Sequence, residues 1–347
     1  MENEPPIPPA DSADGPERRS ARRRVVAIVV TAVVLAALAV IGLSKLHPSE
    51  VGRALGHVRA GWLVLAELLM IATFVCRGES WYVALRVALP DAQLTRPVVT
   101  RVLMIGMAGS TLVPSRAGEA ARAALIVRRV GAVRETLPRV IGTLLSQTLL
   151  NLLALALLSA VAIANGALPG SGSTELLLAV AVPGAIVAGI VLVPRVLLAR
   201  AQSNRGGRWT RVVAGSLDRV RAGLEVFSHP RPAIHSGGFQ LAAWACQAGS
   251  CLLTLWAMGL GHRADVAAAA AVLVAVNITA IVPLTPSNVG VFQAACIAVL
   301  ARFGVHADAA FAYGIVLQGL EVLTALALGL PFALREGLSM RDLPTLP

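Results

Sequence analysis

The sequence predicts an all-α, polytopic integral membrane protein. Long apolar runs alternate with short stretches rich in arginine. Hydrophobic residues make up 56% of the chain and charged residues 14%, where a soluble domain carries about 25% charge. Four segments, Val25–Leu43, Val140–Thr174, Leu176–Pro194 and Ser236–His262, hold no charged residue at all. Runs of this length match the roughly 20 residues a helix needs to cross a bilayer. The expected architecture has about six to eight spanning helices, one or two re-entrant or broken helices, and an inverted repeat.

Residues 1–24 combine a Pro-rich acidic start with Arg18, Arg19, Arg22, Arg23 and Arg24, and are expected to be a disordered cytoplasmic terminus. The apolar run that follows is too long for a signal peptide and lacks a small-residue cleavage site, so it reads as an uncleaved first helix. The transmembrane domain is expected over 25–337, with a cytoplasmic tail over 338–347. Net charge is +11, and Lys45 is the only lysine. In a chain this apolar, arginines at span ends set topology and meet anionic headgroups; they do not imply nucleic acid.

The arginines orient the spans. Pro114–Pro138 contains Arg116, Arg122, Arg128, Arg129 and Arg134, and Pro194–His235 holds eight arginines; Asn165–Thr174 and Gly304–Asp308 hold none. Basic loops stay cytoplasmic. Both termini are then cytoplasmic in a multi-pass protein of the cell membrane. A helix from Gly61 runs inward to about Arg77–Leu89, after an outer loop Ser44–Ala60. Further spans are Arg139–Ala164, Glu175–Val193, Gly237–Leu260 and Phe311–Leu334. Within 194–235, Arg211–Phe227 has the apolar stripe of a headgroup-level helix.

Two segments do not fit simple crossings. Val98–Val113 lies between two cytoplasmic sides, is short, and contains Arg101, Gly106 and Gly109. A re-entrant helix keeps the topology consistent. Val266–Val282 ends at Pro283, and two prolines interrupt Pro283–Gly290 before a helix from about Ser287, a plausible N-cap, to Phe303. Broken helices in inverted repeats are a transporter design.

Polar groups at depth are costly, about 2.5–3.5 kcal/mol for a charge at the bilayer centre. Glu321 sits mid-span, with Gln318 one turn before it and Arg77 or Arg101 as candidate partners. Gln147, Asn151 and Gln247 read as interhelical hydrogen-bonding glue. The densest constellation is Pro114-Ser-Arg116-Ala-Gly118-Glu119-Ala-Ala-Arg122. Arginines at a membrane-embedded break can grip a phosphate bidentately. Arg77 and Glu79 are candidates to complete it. The four cysteines form no CxxC pair and the six histidines show no ligand spacing, so neither a metal nor a cofactor is indicated.

The segment PSRAGEAAR at Pro114–Arg122 resembles the P-x-R-x-G-E-x-x-R motif of the lysylphosphatidylglycerol synthase transmembrane family, and PSNVGVFQAA at Pro286–Ala295 resembles its second signature. The resemblance covers about Arg22–Gly337. Ser287 and Asn288 stand where glycines are usual, and Gln293 replaces an acidic residue. The resemblance implies a flippase-like membrane domain, and the soluble aminoacyl-transfer domain of some relatives is not expected within these 347 residues. The expectation is a non-enzymatic flippase or transporter for a phospholipid or lipid-linked anion. Its candidate binding residues are Arg77, Glu79, Arg116, Gly118, Glu119, Arg122, Pro283, Pro286, Asn288, Gly290, Gln293 and Glu321. The rival is a non-catalytic partner of an envelope lipid or glycan synthase. A membrane enzyme ranks lower, lacking a nucleophile–base pattern, and a channel lacks filter repeats.

Overall fold

The computed structural model describes residues 48–56, 58–112, 117–165, 224–280 and 288–336, and every regular element among them is helical. The expected spans Val25–Leu43 and Glu175–Val193, the termini, and all but the end of Arg211–Phe227 lie outside these residues. So do Pro114, Arg116, Pro283, Pro286 and Ser287.

The α-helices are α1 (Pro48–Gly56), α2 (Ala60–Ala88), α3 (Arg96–Leu112), α4 (Ala117–Val130), α5 (Val133–Ala164), α6 (Pro230–Ala257), α7 (Val266–Thr279), α8 (Val291–Leu300) and α9 (Ala307–Arg335). Three of them, α2, α5 and α9, are long and apolar enough to cross a membrane. Their outward faces are apolar, with Val64, Leu68 and Val75 on α2, Leu153 and Leu157 on α5, and Leu323 and Leu330 on α9 all exposed. Such faces suit lipid, where each helix satisfies its own backbone groups.

The organising contact is between α2 and α6. Arg59 N–H donates to the Ala257 carbonyl at 2.9 Å, Thr73 Oγ1 to the Ala243 carbonyl at 3.2 Å, and the Ser80 and Ser236 hydroxyls lie 3.0 Å apart. The start of one helix therefore meets the end of the other, and the two are antiparallel along their whole length. Small residues allow this; Leu69 fills the space beside Gly249.

Around that pair the other helices repeat. The order long, short, short, long describes α2–α5 and again α6–α9. Every packing relation in one half has its counterpart: α3 on α9 and α7 on α5, α3 on α4 and α7 on α8, α4 on α5 and α8 on α9. Because α2 and α6 run in opposite directions, the halves are inverted. The turns match as well: Gly131 after α4 and Gly304 before α9 hold left-handed φ values of 81° and 70°, a conformation that glycine adopts at low cost.

The short helices form folded-back pairs. A Cβ on Gly106 would collide with the Arg122 stem and the Gly118 carbonyl, and one on Gly118 with the Gly106 carbonyl and Ser110. Backbone thus touches backbone, and α4 returns antiparallel along α3. At 17 and 14 residues the two helices are only about 26 and 21 Å long, short of a ~30 Å hydrocarbon layer. In the other half, Arg263 Nη1 donates to the Gly304 carbonyl at 2.9 Å, tying the entry of α7 to the exit of α8. Asp265 caps α7 by accepting from Ala267 and Ala268 N–H. Ala267, Ala268, Ala269, Ala270 and Ala271 are buried and let neighbouring helices approach closely.

Some boundaries differ from expectation. The segment expected as a loop before α2 contains α1, favoured by Pro48 in its first turn and the Glu50–Arg53 pair at 2.7 Å. Helix α5 begins at Val133 and takes in Pro138, starting directly after the Gly131 turn. Helix α8 starts at Val291, because Asn288 and Gly290 hold positive φ values of 59° and 87°.

Candidate functional site

A chain of polar side chains crosses the interior from α4 to α9. Arg122 Nη1 on α4 donates to Gln147 Oε1 on α5 at 3.3 Å. Gln147 Nε2 donates to the Arg77 carbonyl on α2, also at 3.3 Å. Arg77 Nη2 donates to Gln247 Oε1 on α6 at 2.7 Å, and Gln247 Nε2 donates to Glu321 Oε1 on α9 at 3.1 Å. The two guanidinium groups each lie over an indole: Arg77 over Trp244 at 5.8 Å, Arg122 over Trp81 at 5.2 Å. These contacts supply attraction where water is scarce. Trp81 is in turn fixed by its Nε1–H donating to Thr143 at 3.1 Å.

The chain follows the repeat. Arg77 and Gln247 are both the eighteenth residue of their helices, and Gln147 and Glu321 both the fifteenth. Arg77 and Gln247 are 170 residues apart, as are Thr73 and Ala243, which also bond to each other. Equivalent positions thus meet at the internal two-fold axis. Charge breaks the symmetry. The cations Arg77 and Arg122 belong to the first half, and the carboxylate Glu321 to the second.

The two motif regions reach this chain by parallel routes. Arg122 bonds a residue 25 positions on, and so does Gln293, whose Nε2 donates to Gln318 Oε1 at 2.7 Å. Gln293 Oε1 also accepts the Gly290 N–H at 2.7 Å, so this amide both accepts and donates, whereas an ionised carboxylate only accepts. Gln318 stands one turn from Glu321. Asn288 donates to Thr279 Oγ1 at 3.0 Å, and its own carbonyl oxygen is buried without a partner.

Other candidates lie elsewhere. Glu79 pairs with Arg96 Nε at 3.0 Å, at the α2–α3 junction, and does not join the chain. Glu119 is exposed; Arg122 is oriented by Gln147 and Trp81, with no ion pair to Glu119 within 4 Å. Arg101 donates to the Pro97 carbonyl on its own helix and is no partner for Glu321. Asn151 is interhelical glue, as expected, accepting from Trp244 Nε1 at 3.0 Å and from Gln240. Gln147 and Gln247 do more, because each links charged residues. Glu67 Oε1 accepts from Thr324 at 2.7 Å while its other oxygen is buried and unpartnered.

A separate cavity of about 580 Å³ opens beside the α3–α4 hairpin's two ends, lined by Asp91, Gln93, Arg129, Glu135 and Arg139 among others. It contains no residue of the polar chain. Among the described residues, no group of three or more His, Cys, Asp or Glu side chains is placed to hold a metal.

Inverted halves, paired short helices and long apolar spans define a polytopic helical membrane protein. A family model described as the lysylphosphatidylglycerol synthase TM region matches residues 24–329, and the chain belongs to that family. A search of curated proteins found no match.

Proposed function

We propose that this protein moves a lipid or lipid-linked anion between the leaflets of the cell membrane and has no catalytic activity of its own. The observation that carries this reading is the polar chain from Arg122 to Glu321, which lies between two folded-back helix pairs entering from opposite ends. A charge at depth is retained where it serves a substrate or ion path. Inverted repeats with broken helices alternate access by moving one part against another around a central site. In the proposed orientation the arginine-rich α3–α4 end faces the cytoplasm, as do both termini. Arg116 and Arg122 of the first motif would meet the headgroup, and the Pro283–Gly290 break would line the opposite side.

The test is translocation of a fluorescent anionic phospholipid in proteoliposomes, read by quenching from outside. Wild type should equilibrate the probe, and Arg122→Gln and Arg116→Ala should slow it at least tenfold. No translocation by wild type, together with co-purification of an envelope synthase, would favour the non-catalytic partner instead.

A further inference from the structure

The internal repeat breaks down at the open ends of the two short-helix pairs. In the second half, Arg263 stands three residues before α7, and its Nη1 donates to the Gly304 carbonyl in the turn before α9 at 2.9 Å. One side chain closes the gap between loop and turn. The matching residue of the first half, three before α3, is Gln93. It is shorter and exposed, and the matching carbonyl, that of Gly131, accepts from Thr136 Oγ1 at 2.7 Å. Where Arg263 bridges the second half, the first half holds the cavity of about 580 Å³, with Gln93 and Ala132 on its wall. That volume is in the range of ligand sites.

The charged residues on the wall are Asp91, Arg129, Glu135 and Arg139. Arg129 is taken, because it pairs with Glu336 just past the end of α9. Asp91, Glu135 and Arg139 form no ion pair with any described residue. The wall therefore offers two carboxylates to a cation and one guanidinium to an anion.

The Arg129–Glu336 pair also fixes where the chain leaves α9, at the rim of this cavity. Residues 337–347 follow and lie outside the described residues. Their sequence contains one basic and one acidic residue, Arg341 and Asp342, side by side. Arg341 is five residues beyond Glu336, and five residues reach at most about 17 Å. That is far enough to turn into a cavity that begins at Arg129.

We infer that this cavity is the docking site of the chain's own C-terminal segment, with Arg341 entering beside Asp91 and Glu135 and Asp342 meeting Arg139. Arg341 then does for the first half what Arg263 does for the second, joining the loop before α3 to the turn after α4. Arg263 belongs to the loop it closes, whereas Arg341 arrives on the segment after α9. Ion pairs at an exposed rim are individually weak and screened by salt, so this clamp on the α3–α4 pair is reversible.

The test is disulfide crosslinking of the full chain in nanodiscs, with Cys76, Cys246, Cys251 and Cys296 replaced and copper phenanthroline as oxidant. Ala92→Cys lies on the cavity wall, and Met340→Cys adjoins Arg341. The pair should crosslink within one chain, and about 1 M salt, which cuts the screening length to about 3 Å, should slow the reaction about fivefold or more. Arg341→Ala should slow it as much, and so should Asp91→Asn combined with Glu135→Gln. Gln93→Arg should slow it too, because the loop then carries its own arginine, and should leave the melting temperature unchanged or higher. Asp91→Arg should abolish the crosslink, and Arg341→Glu in that background should restore it. Asp91, Gln93 and Glu135 are exposed, and melting temperatures show whether their variants fold. A pair that does not crosslink, or whose rate ignores both salt and Arg341→Ala, would overturn the inference. So would a crosslink between two chains, which would give the cavity to a second copy. Crosslinking as described in a protein that translocates no lipid would support the docking and count against the transport reading alone.

Discussion

Arg77 and Gln247 stand at the same place in two antiparallel helices and bond to each other at 2.7 Å. Each is the other's counterpart across the internal two-fold axis. The inverted repeat therefore does more than set the shape of the bundle. It brings an arginine face to face with the amide at the matching position of the second half, and that amide carries the contact on to Glu321.

This equivalence predicts a rescue. Arg77→Gln alone removes the cation facing Glu321 and should cost about 2 kcal/mol, the scale of a hydrogen bond to a charged group. Adding Gln247→Arg returns a cation at the matching position. The double variant should recover most of the thermal stability measured in nanodiscs. A double variant no more stable than Arg77→Gln would mean that the two positions are not interchangeable.

The close approach of Gly106 and Gly118 sets a second expectation. A methyl at Gly106 meets the Arg122 stem and the Gly118 carbonyl. Gly106→Ala should lose about 1–3 kcal/mol through overpacking and turn Arg122 away from Gln147. Gly61, in α2, has nothing within 4 Å of an added Cβ. Gly61→Ala should be neutral or slightly stabilising. Melting temperatures of the pair, measured side by side, check both halves of the claim.

Asn151 separates glue from function. Its side-chain oxygen accepts from Gln240 and Trp244. Asn151→Ala strands both donors and should lower stability by about 1–3 kcal/mol. Translocation per folded molecule should stay near the wild-type rate, whereas Gln147→Ala should reduce both. Equal effects of the two variants on translocation would contradict this division.

Much of the architecture was legible in the sequence. The length and charge patterns marked α2, α5, α6 and α9. The shortness of Val98–Val113, between two arginine-rich sides, pointed to a folded-back α3. The prolines and glycines around Pro114 and Pro283 located the breaks. Glu321 stood out because its position at mid-span is costly. The polar chain itself was not legible. Gln147 and Gln247 read as ordinary glue, because hydrogen bonds between helices far apart in sequence leave no local signal. Helical spacing pairs Arg122 with Glu119, yet Gln147 and Trp81 orient it. One signal was present: counted from the start of each helix, Arg77 matches Gln247 and Gln147 matches Glu321. It becomes visible only once the helix starts are known. Helix α1 was missed because nine mixed residues resemble a loop until Glu50 and Arg53 are seen to pair.

The central claim is that two folded-back helix pairs enter from opposite faces of the membrane around one polar chain. Accessibility labelling tests it most directly. Single cysteines at Ala92 and Ala132 flank the first pair, and at His262 and His306 the second, in a variant with Cys76, Cys246, Cys251 and Cys296 replaced. Impermeant thiol reagent should reach Ala92→Cys and Ala132→Cys from one face only, and His262→Cys and His306→Cys from the other. Labelling of Ala92→Cys and Ala132→Cys from different faces would contradict the account.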